Sequence, residues 1–80
     1  MSRTEIFAQL NEVFRDIFDN ENITVADTTE AKDIKGWDSL THINLIVAVE
    51  DCFDIKFGMG DVVTMKNVGE MADIIEREAL

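Results

Sequence analysis

Residues 3–18, RTEIFAQLNEVFRDIF, place Ile6, Phe7, Leu10, Val13, Phe14, Ile17 and Phe18 at the i, i+3/i+4, i+7 spacing that lines one helical face. Glu5, Gln9, Glu12 and Asp16 fall mainly on the opposite side. A strand alternates its side chains, and would send the adjacent pairs Ile6-Phe7, Val13-Phe14 and Ile17-Phe18 to opposite faces of a sheet. The stretch is read as a helix. Ser2 and Glu5 have capping-box spacing ahead of it, with Thr4 as a competing cap.

Downstream, residues 19–37 show no such period. Asp19-Asn20-Glu21-Asn22 and Asp27-Thr28-Thr29 carry turn chemistry, yet Ile23, Val25, Ala31, Ile34 and Trp37 are scattered between them. This reads as an ordered loop packed on a helical bundle, and long loops of this kind inside compact domains are often functional. The acidic cluster does not make a calcium loop: Asp19-x-Glu21-x-Ile23 lacks a third ligand and the glycine at the sixth position.

Residues 39–53 read as a second helix with apolar residues on more than one face. Leu45, Ile46, Val49 and Phe53 share the core-facing spacing. Leu40, Asn44, Val47 and Asp51 fall together on another face, which is either a docking surface or ordinary scattered amphipathicity. Asp38 is a good N-cap and places Ser39 in the first turn, where free backbone N–H groups and the positive end of the helix dipole would stabilise an anionic group on the hydroxyl. Serine is also simply common at helix starts, and position alone favours that plainer reading.

After Phe53 the period breaks. Asp54-Ile55-Lys56-Phe57 alternates like a strand but has no partner strand in the sequence. Gly58 and Gly60 permit a turn, Asp61 to Met65 a short third helix, and Asn67 with Glu70 a capped start. Val68, Met71, Ile74 and Ile75 mark a final amphipathic helix through about residue 78. The fold expected is all-α: a four-helix up-down bundle with a long first loop and a short third helix, residues 1–80 forming a single domain.

Composition narrows the function. Seven basic against seventeen acidic side chains give a net charge of −10 over 80 residues. Phosphate binding needs a basic stripe, so nucleic acid is not expected as a partner, and anionic membrane surfaces are disfavoured on the same grounds. Basic protein surfaces are favoured. A hydrophobic content of 46% is too high for a disordered chain. The lone Cys52 excludes an internal disulfide framework and any multi-cysteine metal site, and an unpaired thiol fits a reducing compartment. No apolar run approaches bilayer-spanning length, and Met1 to Leu10 carries no secretory pattern, so a cytoplasmic monomer is expected.

Gly36-Trp37-Asp38-Ser39-Leu40, followed by Ile43, Leu45-Ile46-Val47-Ala48-Val49-Glu50 and Phe53, resembles the phosphopantetheine attachment region of acyl carrier proteins. The first helix, long loop and final helix extend the resemblance over essentially the whole chain. It implies that a phosphopantetheinyl transferase attaches the 4′-phosphopantetheine arm of coenzyme A to Ser39. The arm's thiol would then hold an acyl group as a thioester. Asp38 would help position magnesium and coenzyme A in the transferase complex. Leu40, Val47, Glu50 and Asp51 would meet partner enzymes, Asn44 lying among them. Leu45, Ile46, Val49 and Phe53 would line a core that in fatty-acid carriers opens around an acyl chain, with Val62, Val63 and Met65 about its entrance. Thr41 and Asn44 stand where fatty-acid carriers usually have acids, and Trp37 is more like specialised carriers and peptidyl or aryl carrier domains. The function implied is a carrier without catalysis of its own, serving acyl-loading and acyl-processing enzymes of fatty-acid-like, polyketide-like or other specialised acyl biosynthesis. The alternatives are a peptidyl or aryl carrier loaded by an adenylating enzyme, and an unmodified acidic interaction bundle.

Two further residues invite chemistry. His42 follows Ser39 by three positions, but there is no nucleophile elbow and no second histidine, so it is read as partly packed or partner-facing rather than a base. Cys52 is read as a buried structural thiol, because no cation lies near it at helical spacing except Lys56, beyond the helix end. No metal site and no catalytic residue are assigned.

Overall fold

Among the described residues of the computed structural model four α-helices follow one another, α1 Arg3–Ile17, α2 Ser39–Phe53, α3 Met59–Thr64 and α4 Val68–Glu78, with a 3-10 turn at Ala31–Asp33 in the long first loop. The structure describes residues 1–79, the side chains of Val63 and Thr64 excepted, so the expected role of Val63 falls outside the described residues. The chain has the all-α architecture expected of it, with a short third helix.

Helix α1 starts where its capping box dictates. Ser2 Oγ accepts from the Glu5 N–H at 3.2 Å, and the Ser2 N–H donates to Glu5 Oε1 at 3.0 Å, so Ser2 and not Thr4 is the cap. The helix ends at Ile17, with Phe18 as C-cap and Asp19 turning away at φ 48°. Of its apolar stripe, Ile6, Leu10 and Phe14 are fully buried, while Phe7, Val13, Ile17 and Phe18 flank them half-buried. They pack against Leu45, Ile46, Val49 and Phe53 of α2 and Val68, Met71, Ala72 and Ile75 of α4. Each fully buried Val, Leu, Ile, Phe or Met side chain among them contributes about 1.5–3 kcal/mol of transfer free energy, which offsets the entropy of ordering the chain.

Residues 18–38 are tied down along their length. The Val25 N–H donates to Asn11 Oδ1 at 2.7 Å, Arg15 Nε to the Ile23 carbonyl at 2.7 Å, and Val25 and Ile34 are buried in the core. Backbone bonds from Val68 N to Thr29 O (2.8 Å) and from Gly69 N to Asp27 O (3.0 Å) dock the loop on the start of α4. Only glycine fits at 69: a Cβ there would stand 2.6 Å from the Asp27 carbonyl oxygen. Arg3 staples the same junction from α1, reaching Asp27, Asp73 (2.8 Å), Glu76 (3.2 Å) and the Gly69 carbonyl (3.1 Å). Those carboxylates raise the Arg3 pKa further above its already high value.

Residues 54–57 form no strand. Asp54 takes a left-handed conformation at φ 55°, and Glu50 then collects the turn: its carbonyl accepts from Ile55 N at 3.1 Å and its Oε2 from Phe57 N at 2.9 Å. Ile55 turns into the core, which accounts for the apparent alternation. Helix α3 begins two residues earlier than its spacing predicts, because Asp61 reaches back to the Gly58 N–H at 3.3 Å. Asn67 caps α4 as expected, accepting from the Glu70 N–H at 2.9 Å.

Cys52 corrects the sequence reading: the thiol is exposed. It sits on the rim of the α1–α2 contact, 3.3 Å from Gln9 Oε1, where partial burial and nearby Glu12 push its pKa up. Absence of a neighbouring cation does not require burial.

Candidate functional site

The long first loop delivers its last residues to the start of α2 through Gly36, whose φ of 94° is a conformation that favours glycine. Asp38 then caps the helix. Its Oδ1 accepts from the Leu40 and Thr41 N–H groups at 3.1 and 2.9 Å, and its own N–H donates to Thr41 Oγ1 at 2.8 Å. Thr41 also donates to the Gly36 carbonyl at 2.7 Å, binding loop to helix. These bonds, led by the Thr41 backbone N–H, hold the Asp38 carboxylate below the usual carboxylate range, so the cap stays charged. Thr41 is thus half of a capping box, a role that Asp-x-x-Thr spacing foreshadows.

Ser39 opens α2 and is exposed. It lies on the rim of a cleft of about 450 Å³ that is also lined by Trp37, His42, Val62, Met65 and Lys66. Trp37 packs edge-on against Phe14, ring centroids 5.3 Å apart, and donates from Nε1 to His42 Nδ1 at 3.0 Å. His42 Nε2 lies 3.4 Å from the Val62 carbonyl oxygen. The histidine is therefore a bridge between the loop, α2 and α3, not a base poised on Ser39.

Of the residues expected to meet partners, Leu40 (72% exposed), Asn44, Val47 and Asp51 are at the surface. Glu50 is half-buried and engaged with the Phe57 N–H. Ile43 and Met59 join the exposed apolar surface and were not singled out by the pattern, although Leu40, Ile43 and Val47 stand at i, i+3, i+7. Leu45, Ile46, Val49 and Phe53 are core residues away from the cleft, whereas Val62 and Met65 line it beside Ser39. No group of three or more histidine, cysteine or acidic side chains among the described residues is arranged to hold a metal ion. Nor is any described helix long and apolar enough to cross a membrane.

An exposed hydroxyl at a capped helix start, beside an open cleft whose histidine is engaged with Trp37 and Val62, suits a covalent attachment point better than a catalytic centre. Comparison with known families agrees: residues 5–75 match the model described as a phosphopantetheine attachment site. The chain belongs to that family of carrier proteins, which carry phosphopantetheine and do not themselves catalyse. Among solved structures it is similar to the holo acyl carrier protein from Geobacter metallireducens, solved by solution NMR. The two are 42% identical with a TM-score of 0.84, over 90% of this chain and 83% of that one. The protein is thus a carrier of the acyl-carrier type, and its family implies modification by a phosphopantetheinyl transferase.

Proposed function

We propose that Ser39 bears the 4′-phosphopantetheine arm and that the protein holds acyl intermediates on it as thioesters, presenting them to separate enzymes of fatty-acid-like or other specialised acyl biosynthesis in the cytoplasm. The observation that carries this reading is the placement of an exposed serine hydroxyl at the Asp38-capped start of α2, on the rim of the cleft. Attachment replaces the hydroxyl proton by the arm's phosphate while the nucleotide portion of coenzyme A departs. The resulting anion sits at the positive end of a 15-residue helix. Asp38 keeps that helix start rigid and is the residue proposed to meet magnesium and coenzyme A in the transferase complex.

Docking is assigned to the exposed apolar surface of Leu40, Val47, Ile43 and Met59, with Asn44 and Asp51 alongside. Glu50 contributes charge from a fixed position, since one oxygen holds the Phe57 N–H. The surface suits enzymes that offer an apolar groove rimmed by basic residues, to which the protein binds as a monomer. A second reading, an aryl or peptidyl carrier loaded by an adenylating enzyme, draws support from the Trp37 ring in the wall of the cleft.

Loading of the arm-bearing protein tests the reading. It is incubated with ATP and either an acyl-acid ligase and a fatty acid or an adenylating enzyme and an aromatic acid, then weighed intact. The expected product has one acyl adduct that hydroxylamine releases, and Ser39→Ala forms none. An adduct resistant to hydroxylamine, or formed equally on Ser39→Ala, overturns thioester carriage on Ser39.

A further inference from the structure

The cleft beside Ser39, about 450 Å³, falls within the range of roughly 300–1,000 Å³ typical of small-molecule sites. Trp37 lines the cleft and also packs against the rings of Phe14 and Phe18, with centroids 5.3 and 6.1 Å away. An indole N–H can only donate, so His42 Nδ1 is the acceptor of the 3.0 Å bond and the ring proton resides on Nε2. That proton points the imidazole at the Val62 carbonyl, 3.4 Å away. The imidazole also stacks on the indole, centroids 5.9 Å apart and planes 21° from parallel. One continuous set of contacts therefore runs from the loop through α2 to α3. It crosses the seam between α2 and α3 next to Ser39. In the core, Leu45, Val49, Ile75 and Phe14 have no exposed surface.

Resting on the assignment of the arm to Ser39, we propose that the cleft is a surface resting site for a compact acyl group, short-chain or aromatic, and that the Trp37–His42–Val62 bridge bars the cargo from the helical core. A flat or short group lies against the indole, where an aromatic ring gains from offset or edge contact as well as area. Among the described residues, a long aliphatic chain passing inward between α2 and α3 has to break the His42–Val62 contact, and so remains in the cleft or in solvent. His42 and Trp37 thereby determine which cargo this carrier shelters.

The test loads the full-length protein with butyryl-, benzoyl- or dodecanoyl-phosphopantetheine, using the corresponding coenzyme A thioesters, magnesium and a broad-specificity transferase, with loading checked by intact mass. The readouts are the NMR resonance of the Trp37 indole N–H and the methyl resonances of Leu45, Val49 and Ile75. Trp37 is the only tryptophan and there is no tyrosine, so fluorescence reports on the same ring. The expected result is a shifted indole resonance and changed emission with butyryl and benzoyl cargo, and core methyls unmoved by all three. In His42→Ala the dodecanoyl chain shifts the core methyls; Trp37→Phe, which removes the donor but keeps an aromatic ring, does the same and serves if the first variant does not fold. Core methyls moved by dodecanoyl cargo in the native chain, or unmoved in both variants, overturn the inference while leaving Ser39 as the attachment point. Absence of any added mass overturns that assignment and the inference with it.

Discussion

Gly69→Ala sets two effects of opposite sign against each other. Glycine inside a helix costs about 1 kcal/mol relative to alanine, so propensity alone makes the substitution stabilising. The packing says otherwise. The new Cβ would stand 2.6 Å from the Asp27 carbonyl oxygen, 3.1 Å from the Asp27 Cα and 3.2 Å from Asn67 Oδ1. Reaching ordinary contact requires loop and helix to separate by roughly 1 Å. That stretches the 3.0 Å bond from Gly69 N to Asp27 O beyond hydrogen-bonding range, a loss of about 1 kcal/mol. Displacing Asn67 weakens the cap of α4, about 1 kcal/mol more, and residual overpacking adds about 1 kcal/mol or more. The net expectation is a destabilisation of about 2 kcal/mol, or on the order of 10 °C in Tm for a domain of this size. Urea unfolding followed by circular dichroism measures it, with the midpoint moving and the slope unchanged. A variant as stable as the native chain, or more stable, would refute the claim that this loop is held by backbone apposition at Gly69.

Leu10→Ala, at a site with no exposed surface, is expected to cost about 2–5 kcal/mol in the same assay. Arg3→Met should cost only about 1 kcal/mol, because its acidic partners are half or more exposed and screened, and the difference should shrink in high salt. The carboxylates of Asp38 and Glu5 both have depressed pKa values, through the hydrogen bonds of the two helix caps. Their contribution is complete above the unfolded carboxylate range and is lost as pH falls through their folded values, so Asp38→Asn should flatten the acid limb of a stability-versus-pH curve. Transferase affinity should fall as salt rises through the physiological range, where charges are screened over about 8 Å; salt-independent binding would assign docking to Leu40, Ile43 and Val47 alone.

What the sequence revealed depended on whether the determining contacts are local. The stripe of α1, the caps at Ser2, Asp38 and Asn67, and the core set of α2 are governed by neighbours within four residues, and their spacing shows them directly. The serine at the head of α2 was legible for the same reason. The partners of His42 were not, because Val62 lies twenty residues away and the bond to Trp37 depends on the path of the loop. The need for glycine at 69 was hidden likewise, since Asp27 approaches from another part of the chain. Cys52 was misjudged because an edge position on α2 is covered or exposed according to how α1 crosses it. Ile43, by contrast, was available from spacing: it completes Leu40 and Val47 better than Asn44 does.

The central claim is that Ser39 carries the arm. Intact-mass analysis after incubation with coenzyme A, magnesium and a broad-specificity phosphopantetheinyl transferase tests it directly. The native chain should gain the mass of one phosphopantetheine arm, and Ser39→Ala, with an unchanged circular dichroism spectrum, should gain none. A native chain left unmodified while a control carrier is converted in the same tube, or an arm still added to Ser39→Ala, would contradict it.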